Sequence, residues 1–350
     1  MQMSTELFAT LVASVEASSD RALSNNDAPR WIRKLSEEDA ILMSQADVRD
    51  VCIVTRHLRA LLLQHEGKRF LTVSGLDADD DLPEGFEALE LTPSFLALAV
   101  SQLKLAPRAS PIEIFDTIES SFAGEDGYEG HELEDIAKLF PSVSVFKLNE
   151  DADSSGSIWR SVGVLLSKFY GQGPIELSGE ALNGLKELYE AGSNHVPFRN
   201  IVQGHLAITW SGLFLELYRA IEQLYSVPKL VKLTDIWASP KSFYELAELL
   251  ESQLGWRPKE EDALRELIES CDASLLEMLA NELCPDAENK SQAVAKAIYK
   301  QRNSLVHFRS AMPEQCYSNE QWNNRICLMI KLVSQLYERH GNNYMLPRAQ

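Results

Sequence analysis

Near the C-terminus, Arg302-Asn303-Ser304-Leu305-Val306-His307 sets an arginine and a histidine five positions apart, with an asparagine directly after the arginine. Histidine exchanges protons near neutral pH, while arginine stays charged and grips phosphate oxygens with a planar fork of donors. Together they are the parts for cutting a phosphodiester without a metal. The surrounding charge suits an anion: between Asn289 and Met312 lie Lys290, Lys296, Lys300, Arg302 and Arg309, with no acidic residue. On an ideal helix Val294, Ile298, Leu305 and Phe308 share one stripe, and Lys296, Lys300, Asn303 and His307 fall opposite it. Arg302 then lies about 140° around the helix from His307, so one helix does not aim both side chains at one atom.

Those six residues, on a helix late in an all-helical segment, resemble the R-x4-6-H signature of the HEPN superfamily and look most like its Apea-like group. The resemblance covers roughly the last 150 residues, about one helical domain. It implies a homodimer through the C-terminal bundle, in which the motif helices of two protomers line one composite cleft. It also implies metal-independent endoribonuclease chemistry with no cofactor. The 2′-hydroxyl attacks the adjacent phosphorus and leaves a 2′,3′-cyclic phosphate and a 5′-hydroxyl. His307 acts in proton transfer, Arg302 stabilises charge on the phosphoryl oxygens, and Asn303 orients either group or the phosphate. Lys296, Lys300 and Arg309 are the expected RNA contacts. Proteins of the superfamily often act as toxins or anti-phage effectors that cut cellular RNA. HEPN bundles sometimes carry a supporting polar residue in an early helix. Glu216, Arg219 and Glu222 occur in such a helix, where Glu216 and Arg219 are spaced for a local ion pair and no role is transferred to them.

A reading without chemistry stands beside this one. Arg302 is then a surface residue or the partner of a bundle carboxylate, and His307 sits near a helix end, where positive charge suits the dipole. Lys296 and Lys300 form a solvated face, and the chain is a noncatalytic helical module that binds RNA or a protein.

The full chain of 350 residues is long enough for two domains and carries a net charge of −19. That charge argues against a nucleic-acid partner until it is mapped. Residues 1–200 hold 17 Lys/Arg against 33 Asp/Glu, a balance of −16, and residues 201–350 hold 16 against 19, a balance of −3. The expectation is an acidic sensing or regulatory domain over 1–195, open to a trigger or regulatory protein, and a helical nuclease domain over 196–350. No apolar run approaches the ~20 residues that span a bilayer, and no secretory signal pattern is present, so a cytoplasmic protein without membrane contact is expected. The five cysteines include no C-x-x-C pair, and the seven histidines include no H-x-x-H or H-E-x-x-H spacing, so no metal site is expected.

The fold expected is mainly α: a C-terminal helical bundle preceded by a mixed, mostly helical α/β domain. Residues 47–64 carry a helical distribution of apolar positions, and residues 69–73 and 142–146 alternate as strands. Thr92-Pro93 and Ser110-Pro111 mark helix starts, the second with a capping box completed by Glu113. Residues 77–85 and 149–157 read as acidic linkers. The Asp151, Asp153, Ser155 and Gly156 spacing begins like a calcium loop, but Val162 stands where the bidentate glutamate belongs. Residues 205–225 read as one core helix, with Leu206, Trp210, Leu213, Phe214, Leu217, Ile221 and Leu224 on its stripe. Further helices follow from Ser239-Pro240, over 259–270 and 272–283, from Asn289 to about 308, and over 319–340 with Gly341 as terminator.

Overall fold

The computed structural model describes residues 2–17, 23, 28–76, 81–119, 126–169, 173–236, 242–307 and 316–344. The chain divides into two compact units, residues 1–162 and 163–350. It is mainly helical with one small antiparallel sheet.

In order, the first unit holds α1 (Gln2–Glu16), α2 (Glu37–Gln45), β1 (Asp47–Ile53), β2 (Arg59–His65), β3 (Lys68–Ser74), β4 (Phe86–Leu89), α3 (Pro93–Leu103), α4 (Pro111–Glu119), α5 (Leu133–Ala137) and β5 (Val143–Leu148). The sheet order is β1-β2-β3-β5-β4, with every neighbour antiparallel. Glu66 and Gly67, both at positive φ, make the two-residue turn from β2 to β3. Two of the three inner strands are buried on both faces, with Ala60, Leu61, Leu62 and Leu63 in β2 and Phe70, Leu71 and Val73 in β3.

That double burial corrects the helical reading of residues 47–64. A central strand covered on both sides needs no polar alternation, and a continuous apolar run does not separate strand from helix by periodicity. The edge strand β1 is mostly exposed, and its register slips between Val48 and Asp50 in a bulge.

Helix α3 packs on β1, β2, β3 and β5, and α1 and α2 pack on α3. Its start is doubly held: Thr92 Oγ1 accepts from the Phe95 backbone N–H, and Asp39 of α2 accepts from Thr92 Oγ1 at 2.5 Å and from the Ser94 N–H at 3.3 Å. A carboxylate there also meets the positive end of the helix dipole. The Ser110–Glu113 capping box starts α4. Residues 149–157 form a turn and a short 3-10 helix (Asp153–Gly156) that buries Ser154 and Ser155, where a solvated linker was expected.

Helix α6 (Ile158–Phe169) spans the boundary. The second unit continues with α7 (Gly179–Ala191), α8 (Phe198–His205), α9 (Trp210–Glu222), α10 (Val227–Ile236), α11 (Phe243–Leu254), α12 (Glu260–Glu269), α13 (Ala273–Leu283), α14 (Lys290–Val306) and α15 (Asn319–Tyr344). Helix α15 packs on α7, α9 and α13, and α14 packs on α12, α13 and α9. Because α7 belongs to this bundle, the boundary drawn at residue 195 falls inside the second unit.

Two other bundle readings change. Residues 205–225 are two elements, since α8 ends at His205 and Thr209 caps α9 by accepting from the Gly212 N–H. Helix α15 runs through Gly341 to Tyr344. Ser239-Pro240 lies outside the described residues, and α11 begins after a capping box of Ser242 and Glu245.

Close packing here sets a test. In an ordinary helix interior Gly to Ala stabilises by roughly 0.5–1 kcal/mol. A Cβ on Gly163, however, would sit 2.4 Å from the ring of fully buried Tyr189. Overpacking of this kind costs about 1–3 kcal/mol, so Gly163→Ala is expected to lower the unfolding temperature. Gly179→Ala, at the open start of α7 with nothing within 4 Å, should leave it level or raise it. Thermal unfolding of both variants checks the opposed signs.

Candidate functional site

Helix α14 starts at Asn289, whose side chain accepts from the Gln292 N–H, and it buries Val294, Ala295, Ile298 and Gln301. Lys296 and Lys300 are exposed on its other side, as is His307. Phe308 and Arg309 lie outside the described residues, so neither receives a position here.

The helix ends at Val306. His307 is its C-cap in extended geometry (φ −112°, ψ 108°), and its backbone N–H donates to the Asn303 carbonyl. The angle of about 140° from Arg302, which assumed a continuous helix, therefore does not apply. Among the described residues the His307 side chain makes no hydrogen bond or ion pair, and nothing joins it to Arg302.

Arg302 is turned towards the bundle. Its side chain is 19% exposed and lies 3.6 Å from Glu222 of α9 and 3.9 Å from Glu260 of α12. Nη1 donates to Asn303 Oδ1 at 3.0 Å, and the guanidinium carbon stands 5.6 Å from the centre of the Tyr218 ring, close enough for a cation–π contact. Both carboxylates are beyond hydrogen-bond distance, so they compensate the charge without saturating the guanidinium donors. Burial raises the Glu222 carboxyl above its ordinary range, Arg302 opposes that shift, and Glu260 adds to it. Tyr218 and Tyr225 share a 2.6 Å hydroxyl–hydroxyl bond beneath the pair, and burial pushes both phenols up.

The preceding residue, Gln301, faces inward and is only 3% exposed. Its Oε1 accepts from Arg325 Nη1 at 2.8 Å, and Arg325 lies over the Tyr317 ring and 3.8 Å from Glu282. The last turns of α14 are thus held to α9, α12 and α15 by polar contacts made at Gln301 and Arg302.

The sequence brought forward Arg302, Asn303 and His307, and the fold joins the first two while His307 stands apart in solvent. The roles of Glu222 and Glu260 were missed. Glu216 and Arg219 do form the local ion pair their spacing suggested, but Glu222, one turn on, reaches α14. Its signal was a carboxylate on the same early helix, and nothing local marks Glu260. Both also line a cleft of about 560 Å³ with Tyr225, Tyr244, Glu248, Glu251 and Trp256. Four glutamates against Arg257 alone make the cleft acidic, so phosphate is better received along the exposed lysine side of α14.

Among the described residues no three His, Cys, Asp or Glu side chains are placed to hold a metal ion, and no helix is long and apolar enough to cross a membrane. The five cysteines form no disulfide: Cys52 and Cys327 are buried, Cys271 and Cys284 half-buried, and Cys316 exposed. Comparison with known protein families, with curated proteins and with solved structures gave no match.

Two other histidines are structural. His340 Nε2 lies 2.9 Å from Ser270 Oγ. His205 is fully buried, its ring parallel to that of Tyr189, and burial lowers its pKa to about 4 from an ordinary 6.5. Below pH 6.5 the unfolded chain takes up a proton that folded His205 refuses. Its contribution is whole above that pH and is lost as pH falls towards 4, on the order of 3 kcal/mol in all. The denaturant midpoint should fall between pH 7 and pH 5, and His205→Phe should flatten that slope. A midpoint equally steep in both proteins would remove His205 as the cause.

Proposed function

We propose that this chain is a HEPN-type, metal-independent endoribonuclease that cuts cellular RNA, acting as a toxin or anti-phage effector. The observation that carries the reading is the end of α14. Lys296, Lys300 and His307 are exposed along or beside the helix, while Arg302 keeps unsaturated donors and is oriented by Asn303. The lysines draw the phosphate backbone, Arg302 stabilises charge on the scissile phosphoryl group, and His307 moves a proton to or from the ribose or leaving oxygen. Because His307 and Arg302 of one chain do not meet, the composite site takes these groups from two protomers related by a twofold axis through the bundle.

One observation favours a noncatalytic bundle instead: Arg302 is largely withdrawn from water and faces two carboxylates, the arrangement of a structural ion pair. The two readings part on activity. Purified protein incubated with RNA should cleave it equally with and without a chelator, leaving 2′,3′-cyclic phosphate ends. His307→Ala should lower the rate by about 10²–10⁴ while unfolding temperature and dimer mass stay unchanged. Arg302→Lys, which keeps charge but loses the planar fork, should also lose most activity. Lys296→Glu with Lys300→Glu should weaken RNA binding and reduce its salt dependence. Full cleavage by His307→Ala, or a wild type that binds without cutting, would leave the noncatalytic module as the answer.

A further inference from the structure

The first unit has a second arrangement of charge, independent of the nuclease reading. Residues 1–162 hold 14 Lys/Arg against 29 Asp/Glu, yet the acid falls in blocks. No Asp or Glu lies between Asp50 and Glu66, between Glu90 and Glu113, or between Asp135 and Glu150. The fold brings these three stretches together around a pocket of about 600 Å³. Arg56, His57 and Arg59 come from the first, Arg108 from the second and Pro141 from the third, and no carboxylate lines it.

The cationic groups are built in by the backbone. Arg59 Nη1 donates to the carbonyls of Leu103 and Lys104 at the end of α3, at 2.6 and 2.8 Å, which fixes the guanidinium. Its Nε is buried and has no hydrogen-bond partner among the described residues. The turn carrying Arg56 and His57 is closed by Thr55 Oγ1, which accepts from the N–H groups of His57 and Leu58. It rests on Gly75, at φ +86°, where a Cβ would stand 2.2 Å from the His57 carbonyl oxygen. Arg108 is anchored by its backbone N–H to the Leu139 carbonyl at 2.7 Å. Arg56 and Arg108 are exposed and form no ion pair among the described residues.

We propose that this pocket binds a small phosphorylated ligand of nucleotide size through Arg56, Arg59 and Arg108. Three arginines line one hollow, and the guanidinium fork supplies the paired donors that phosphate oxygens accept. The volume is that of a small-molecule site. The surrounding charge selects for a short ligand. A polyanion long enough to leave the pocket meets a unit with a twofold excess of acid, whereas a compact phosphate stays within the local field, given a screening length of roughly 8 Å.

The test uses the full chain in calorimetric titrations with inorganic pyrophosphate, ADP and a 12-nucleotide RNA. Pyrophosphate or ADP should bind saturably at one site per chain and less tightly as salt rises. A preference for ADP would identify a nucleoside-bearing ligand, and equal affinity a phosphate-only one. Arg56→Glu with Arg108→Glu should weaken binding at least about tenfold, from the loss of two charge-assisted contacts. The charge-removing pair Arg56→Gln with Arg108→Gln should act in the same direction, and Lys296→Glu with Lys300→Glu should leave the affinity for pyrophosphate and ADP unchanged, whatever it does to RNA. The proposal fails if neither small probe binds at millimolar concentration, if both arginine variants keep wild-type affinity, or if the RNA binds more tightly than ADP through the same arginines.

Discussion

A guanidinium that is four-fifths out of water needs opposite charge beside it, and in the second unit that requirement falls on Arg302. Glu222 arrives from α9 and Glu260 from α12, so the charge on α14 ties three helices that are distant in sequence. One residue earlier, Gln301 and Arg325 make the corresponding link to α15. The apolar side of α14 is narrow, with Val294, Ala295 and Ile298 its fully covered apolar positions. The end of the helix is therefore oriented by polar contacts more than by hydrophobic burial. Any function assigned to Arg302 must operate with its neighbours, because the same carboxylates that hold it in place also temper its field.

What the sequence disclosed, and what it hid, follows from the range of the interactions involved. Caps are local, and Thr92, Ser110 and Asn289 all start the helices their side chains promised. On α14 the buried Val294 and Ile298 and the exposed Lys296 and Lys300 were likewise legible, since a helix facing solvent on one side keeps its periodicity, whereas Leu305 is only half-buried and the buried Gln301 was not read. Residues 47–64 failed for the opposite reason: β2 is covered on both faces, so its residues carry no alternation to read. The break between α8 and α9 was hidden because Leu206 and Leu213 keep the apolar spacing across it. The candidate site was legible only in part. Arg302, Asn303 and His307 are neighbours in sequence, but Glu260 lies 42 residues before Arg302 and becomes a partner only when α12 and α14 pack.

Net charge proved a poor guide to local chemistry. A chain at −19 carries an acid-free basic helix face in one unit and a carboxylate-free basic pocket in the other. The second unit shows the converse, with a cleft of four glutamates close behind the basic helix. Screening over several ångströms makes such patches electrostatically separate, so acid elsewhere can limit non-specific association with long polyanions without cancelling attraction at a particular hollow.

The sheet of the first unit has two open edges, β1 and β4, and each end of such a sheet is a template on which a foreign strand can add. Strand β4 is only four residues long, too short to offer a useful ladder. Strand β1 is longer and exposes Val51 and Ile53, a composition that invites intermolecular pairing. The irregular register between Val48 and Asp50 interrupts its ladder, and Asp47, Arg49 and Asp50 set charge along the same segment. An incoming chain would have to match a bent, charged rim, so the continuous aliphatic run that makes β2 a good central strand is kept from seeding aggregation by the strand that flanks it.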